Sequence, residues 1–203
     1  IIVNGKVAII GMKIQEKDKI EVKESKKKIP YAYYAYNKPV GIVTTNPVAG
    51  EKDILQTTKF PVKVFPVGRL DKDFHGLLIM TNDGRVTTNL LSPEMNHEKE
   101  YIVRVDSDFN DAFLKKLSRG VSFDTYTSKP AKTKRISPNI FSIILTEGKK
   151  RQIRRMVSVF RHLVKDLKRV RIENIKLGNI PEGEFKVLEG KMLADFLKKI
   201  GVK

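Results

Sequence analysis

The chain has 203 residues, 40% of them hydrophobic, and carries a net charge of +17 from 40 basic and 23 acidic side chains. That composition supports one main domain with a small appendage, and the charge points to a polyanionic partner, since each neutralised phosphate releases counterions. There is no cysteine, which excludes disulfides, thiolate nucleophiles and cysteine-ligated zinc, and no uncharged apolar run is long enough to span a bilayer.

Nucleic acid is therefore favoured over a membrane surface. The three histidines, His75, His97 and His162, are scattered without metal-ligand spacing, so no metal is expected. No secretory signal is visible, which makes the cytoplasm the expected location. The chain starts at Ile1 rather than at methionine, and a piece preceding it is expected.

Residues 1–24 read as the tail of a small domain. Ile1 to Val7 is a short strand turning at Asn4-Gly5, a strong hairpin signal, and Ile20-Glu21-Val22 alternates like a closing strand. The apolar surface here is too small for a separate core. Residues 25–30 read as a charged linker, with Lys26, Lys27 and Lys28 solvated. The main domain, 31–203, opens on the aromatic, β-prone run Tyr31 to Tyr36, which Asn37-Lys38-Pro39-Val40-Gly41 breaks; Pro39 holds Lys38 extended. Val64 to Val67 and Leu77 to Thr81 are strands, and 85–92 a helix. In the strand Glu100 to Val105, Tyr101, Val103 and Val105 share one face. Asn110 N-caps a helix that runs through Leu117 and stops at Gly120. Ile140 to Leu145 is a strand, about 150–160 a basic helix, Ile172 to Leu177 and Phe185 to Leu188 strands, and Lys191 to Ile200 a last helix. Strands follow one another or short helices without βαβ alternation, so the fold class is α+β with a largely antiparallel sheet.

Three positions stand out for chemistry. Asp71 lies in Gly68-Arg69-Leu70-Asp71-Lys72-Asp73-Phe74-His75-Gly76, an acid beside a cation in a very basic chain. A Leu-Asp pair at a strand end often only caps a turn. A nucleophilic carboxylate, however, has to stay ionised when substrate excludes water, and a neighbouring arginine opposes the effect of burial; Arg69 and Arg154 are the candidates for that partner. Asp73 and Asp83 sit in polar, turn-like contexts and are weaker choices. Lys149-Lys150-Arg151-Gln152-Ile153-Arg154-Arg155 places five cations where a helix begins, against its macrodipole, at a cost of roughly 0.3–1 kcal/mol each, which points to an anion nearby. At about 100° per residue, Ile153, Met156, Val157 and Phe160 form its apolar face, with Arg154 at the edge and Arg151 and Arg155 pointing away. Tyr101 faces inward. The commoner outcome is a core tyrosine; in a base-handling site it would stack on an extruded base.

Gly68 to Gly84 resembles the signature of the RsuA/RluB/RluE/RluF family of pseudouridine synthases. Asn37 to Gly41, Lys99-Glu100-Tyr101 and Glu147 to Met156 match the family's other blocks in order, together covering 31 to about 190. Gly68 to Gly76 and Asn96 to Val105 look closest to the RluF branch. Residues 1–24 resemble the C-terminal half of an S4 RNA-binding domain, whose helical half is not contained in this sequence. The resemblance implies the pseudouridine synthase catalytic fold preceded by a partial S4-like domain. It implies an enzyme without cofactor or metal, acting on ribosomal RNA, 23S in the RluF branch; a monomer is expected independently of the resemblance. Uridine's glycosidic bond breaks, the base rotates, and C5 rejoins C1′. Asp71 matches the essential aspartate, Tyr101 the tyrosine that stacks on the base, and Arg154 the arginine paired with the aspartate. Arg69 matches the position that fills the gap left by the flipped base. Asn37, Lys38, Lys149, Lys150, Arg151 and Arg155 are expected to contact RNA. Phe74 departs from the family, which has serine or threonine there, and Lys149-Lys150 departs from its usual Gly-Arg/Asn approach, with loss of arginine's bidentate geometry.

Two other functions compete. A non-catalytic RNA-binding or ribosome-assembly protein on the same scaffold would fit the charge and Phe74, but gives no reason to keep an acid in a basic cleft. A DNA-binding regulator lacks helix-turn-helix spacing or a zinc module.

Overall fold

The computed structural model describes residues 1–9, 11–22 and 29–202, and its contacts separate Ile1–Pro30 from Tyr31–Lys203. In the first unit Asn4 and Gly5 take φ of 50° and 76°, as a two-residue hairpin turn requires. They join β1 (Ile2–Val3) to β2 (Lys6–Val7), and β3 (Ile20–Glu21) pairs antiparallel with the other edge of β1. Val3 is buried, while Ile1, Val7, Ile9, Ile14, Ile20 and Val22 are exposed. The expected linker, 25–30, lies outside the described residues except for Ile29 and Pro30.

The second unit runs β4 (Tyr33–Lys38), α1 (Ile54–Thr57), β5 (Phe65–Val67), β6 (His75–Thr81), α2 (Gly84–Leu91), β7 (Lys99–Val105), α3 (Asp111–Ser118), β8 (Ser122–Phe123), β9 (Tyr126–Thr127), β10 (Lys132–Ser137), β11 (Ile140–Leu145), α4 (Gln152–Ser158), β12 (Val164–Ile172), β13 (Ile175–Lys176), β14 (Phe185–Val187) and α5 (Gly190–Lys199). Its main sheet has the order β10-β11-β7-β12-β6-β4-β14, with β13 beside β12 and β5 beside β6. Every named pairing is antiparallel except β12 with β6. This is the α+β, largely antiparallel architecture that the chain order of elements predicts.

Alternation sets the layers. Tyr33, Ala35, Leu77 and Ile79 turn to one side of β4 and β6 and pack with Val86 and Leu90 of α2 and Phe196 of α5. Tyr34, Tyr36, Leu78 and Met80 turn to the other, against Phe60 and Phe185. Tyr101, Val103 and Val105 join a third cluster with Phe113, Leu117, Phe141, Ile153, Met156 and Val157. Asn110 caps α3 by accepting from the Phe113 amide at 3.0 Å, as expected. Asp83 caps α2 through the Arg85 amide at 3.1 Å and also accepts from the Tyr33 hydroxyl at 2.8 Å. Burial, and then that bond to Asp83, push the Tyr33 phenol up to about 12. Asp83 is thus a structural acid.

Two expectations change, and one strand is added. The strand read at Ile172 to Leu177 is instead a turn at Glu173-Asn174 and the short β13, and the long partner is β12. Its sequence, Val-Lys-Asp-Leu-Lys-Arg-Val-Arg-Ile, hides the inward face because Arg169 occupies a buried position while Val170 is half-exposed. β10, Lys-Thr-Lys-Arg-Ile-Ser, is a lysine-bearing edge of the kind that blocks strand addition. The basic helix is shorter than expected: it begins at Gln152, with Arg151 left-handed (φ 52°) at its N-cap. Lys149, Lys150 and Arg151 therefore precede the helix, and Arg154 is the cation left in its first turn.

Candidate active site

The loop between β5 and β6 is pinned from several sides. Thr44 holds Leu70 twice: its hydroxyl donates to the Leu70 carbonyl at 2.6 Å and accepts from the Leu70 amide at 3.0 Å. The Gly41 amide donates to the Lys72 carbonyl at 2.9 Å, and the Phe74 amide to the Asp71 carbonyl at 3.0 Å. At the loop's end Gly76 has φ 102°, and a Cβ there would lie 2.3 Å from the Arg169 carbonyl. Only glycine lets β6 and β12 meet in this register, so the glycine that follows the loop is a packing requirement.

Lys38 and Asn37, expected at the RNA, are buried, Lys38 at 0% exposure. They have no surface to offer, and their work is structural. The Lys38 ammonium donates to the Phe74 carbonyl at 2.8 Å and the Pro39 carbonyl at 2.9 Å, tying β4 to the Asp71 loop from below. Burial lowers its pKa from 10.5 to about 8, against the opposing pull of Asp71 and Asp73. Asn37 donates to the Ile180 carbonyl at 2.7 Å. Lys99 is likewise lowered by burial to about 8. For a lysine with a depressed folded pKa, the folded state binds fewer protons than the unfolded state between the two values. Stability therefore rises with pH there. Urea titrations between pH 8 and pH 10 are expected to show this rise in the wild-type protein and a smaller one in Lys38→Met. Equal slopes would mean that Lys38 is not desolvated.

A cleft of about 730 Å³ opens beside this loop. Arg69, Asp71 and Phe74 line one side, Tyr101, Lys99 and Arg169 the strands beneath, and Tyr126, Lys129 and Glu147 to Ile153 the other side. Six of the ten residues expected in the site line it: Arg69, Asp71, Tyr101, Lys149, Lys150 and Arg151. Asp71 is half-buried, Tyr101 buried, and the four cations exposed at the rim.

Arg154 and Arg155 stand next to the cleft. Arg154 lies 4.7 Å over the Phe74 ring, donates to the Val164 carbonyl at 3.1 Å and approaches Asp73 at 3.9 Å. Its ion pair is thus with Asp73, while Asp71 acts on it electrostatically. Burial, with Arg151 second, lowers its pKa, and Asp73 and Asp71 oppose this. Arg155, more than a third exposed, is engaged by Asp124, by the Phe123 ring at 4.7 Å and by the Lys150 carbonyl at 3.3 Å. These contacts brace the hairpin β8–β9 against α4.

The sequence reading did not anticipate the network behind the basic rim. Glu147, 7% exposed, accepts from the Tyr126 hydroxyl, the Gln152 side-chain amide and the Lys129 amide, the last at 3.1 Å. The Gln152 side-chain Oε1 accepts from the Lys149 backbone amide at 2.9 Å, and the Lys149 ammonium sits 4.8 Å over the Tyr126 ring. The bond to Glu147 raises the Tyr126 phenol above its ordinary pKa. Glu147→Ala leaves these donors without an acceptor and is expected to cost about 2–3 kcal/mol, read as a lower urea midpoint; an unchanged midpoint would show that water replaces the carboxylate.

Among the described residues no cluster of histidine and acidic side chains could hold a metal ion, and no helix is long and apolar enough to cross a membrane.

The model of the family described as RNA pseudouridylate synthase matches residues 32–159. The chain belongs to this family. It is 38% identical to the dual-specificity RNA pseudouridine synthase RluF of Escherichia coli (strain K12), over 98% of this chain and 70% of that protein. It is 33% identical to the ribosomal large subunit pseudouridine synthase B of Bacillus subtilis (strain 168), over 92% of this chain and 80% of that one. A crystal structure of a pseudouridylate synthase aligns with a TM-score of 0.76 at 25% identity, covering 98% of this chain and 87% of its own. The α+β sheet is thus the pseudouridine synthase fold.

Proposed function

We propose that this protein converts a uridine of large-subunit ribosomal RNA to pseudouridine, with Asp71 as the catalytic carboxylate. The observation that carries the reading is the placement of one half-buried acid, Asp71, in a cleft with buried Tyr101 beneath and Arg69, Lys149, Lys150 and Arg151 at the rim. The rim cations suit the phosphates around a target nucleotide, and these contacts position without reading sequence. Flipping the base costs a few kcal/mol. Stacking on Tyr101 offsets part of this, and Arg69, exposed beside the cleft, is suited to fill the vacated stack. The Asp71 carboxylate then meets C1′ or the ring, and no step needs a cofactor. Ribosomal RNA as substrate is supported by the Bacillus relative, whose name states the large ribosomal subunit.

Phe74 loses its force as an argument for a non-catalytic protein. Its ring is buried in the cluster that contains Tyr101 and lies under the Arg154 guanidinium. The loop is shaped there by packing and a cation–π contact, worth about 0.5–2 kcal/mol. Tritium release from [5-³H]uridine-labelled 23S ribosomal RNA is the test. Stoichiometric release by the wild-type protein is expected. Tight binding of large- and small-subunit RNA without release would move the protein to the RNA-binding class.

A further inference from the structure

The floor of the cleft holds two cations to which the reaction as described gives no task. Arg169 on β12 is the cross-strand partner of Tyr101 on β7, and partners in an antiparallel ladder project to the same side. Lys99 precedes Tyr101 by two residues and shares that face. All three line the cleft. Arg169 is 4% exposed; its Nε donates to the Leu77 carbonyl at 2.7 Å, and its Nη2 is buried with no hydrogen-bond partner. The Lys99 ammonium has one long bond, 3.3 Å, to the His97 carbonyl. Burial, and then the charge of Arg169, lower its pKa, with Glu173 opposing. A guanidinium N–H left without an acceptor, with a second cation beside it, is an expensive interior. It becomes favourable when an oxygen carrying negative charge arrives.

Resting on the pseudouridine synthase reading, we infer that Lys99 and Arg169 hold a carbonyl oxygen of the flipped uracil and stabilise the negative charge that the ring carries once it leaves C1′. The charge balance requires such a partner. As an Asp71 oxygen bonds to C1′, the C1′–N1 bond breaks and its electron pair passes to the ring, giving a uracil anion delocalised over N1, O2 and O4. After rotation C5 bonds to C1′ and expels the carboxylate; the C5 proton then passes to solvent and N1 takes up a proton, so that the neutral C-nucleoside forms with no net gain or loss of protons. If Asp71 adds to C6 of the ring instead, the electron pair of the C5=C6 bond passes to O4 as an enolate, so a carbonyl oxygen again carries the charge. Depth separates this role from phosphate binding: Arg69, Lys149, Lys150 and Arg151 are exposed at the rim, where phosphates remain hydrated, whereas Arg169 is enclosed. Tyr101 then supplies the stacking face, and its two basic neighbours the polar edge.

The test pairs protein variants with single-atom changes in the substrate. A ribosomal RNA fragment containing the uridine that the wild-type protein modifies is prepared with uridine, 2-thiouridine or 4-thiouridine at that position. Single-turnover rates and RNA dissociation constants are then measured for wild type, Lys99→Met and Arg169→Met. Each variant is expected to lose about 10²–10³-fold in rate, the size of a lost oxyanion donor, with RNA affinity nearly unchanged. The thio substitution that slows the wild-type protein should lose its effect in the variants, since the two changes remove the same contact. A thio penalty of equal size in wild type and variants would overturn the inference, because a purely structural role gives additive losses. Weaker RNA binding with an unchanged rate at saturation would overturn it too, placing both cations on phosphate. Lys99→Met carries the experiment alone if Arg169→Met does not fold. A wild-type protein that modifies no uridine would refute the underlying reading, a result distinct from either of these.

Discussion

Asp71→Asn is expected to abolish isomerisation, by on the order of 10⁴-fold or more as for other nucleophile knockouts, while RNA binding is kept or tightened. The amide is isosteric, so the anchors of the loop persist: Thr44 on Leu70, Gly41 on Lys72 and Lys38 on Phe74 all involve backbone groups or neighbouring side chains rather than the Asp71 carboxylate. What changes is charge and nucleophilicity. Binding should not suffer, because the removed charge is negative and repels phosphate, whereas Arg69, Lys149, Lys150 and Arg151 are untouched. Tritium release and filter binding on the same preparation separate the two effects. If affinity falls together with activity, Asp71 is a loop-shaping acid and the catalytic carboxylate has to be sought elsewhere.

The parts of this site that were legible in the sequence are those whose signal is local. Asp71 stands beside Arg69 and before an apolar strand. Tyr101 falls on the apolar parity of β7, and Lys149 to Arg151 form an unmistakable charge run. The hairpin at Asn4-Gly5 and the cap at Asn110 were legible for the same reason: each is decided by two to four consecutive residues. What was not legible depends on partners far away in the chain. Lys38 looks like a surface cation, and only the carbonyls of Pro39 and Phe74 make its burial tolerable. Arg169 breaks the apolar alternation of β12, so the central strand of the sheet reads as a charged loop until β6 and β7 are placed on either side of it. Glu147 gathers donors from β9, the loop after it and α4. In each case a buried charge masks the strand or the site, and its meaning is set by tertiary contacts that propensity does not encode.

Arg154→Ala is expected to lower the single-turnover rate by about 10²-fold, the cost of misplacing a reacting group by about an ångström, with a smaller effect on RNA affinity. The side chain lies 24% exposed next to the loop that carries Asp71, and makes three contacts that converge there or on β12: the Phe74 ring, Asp73 and the Val164 carbonyl. Alanine removes all three and leaves the Val164 carbonyl without this donor. The effect travels through position, since Arg154 does not line the cleft, and the identity of the replacement tests this. Arg154→Lys keeps the charge but cannot lie flat on Phe74 while reaching both oxygens, so it should recover little of the lost rate. Full recovery by lysine would make the charge alone sufficient and leave the Phe74 contact incidental. Near-normal turnover in Arg154→Ala would remove the residue from the site and leave Lys38 and Thr44 as the groups that hold the loop.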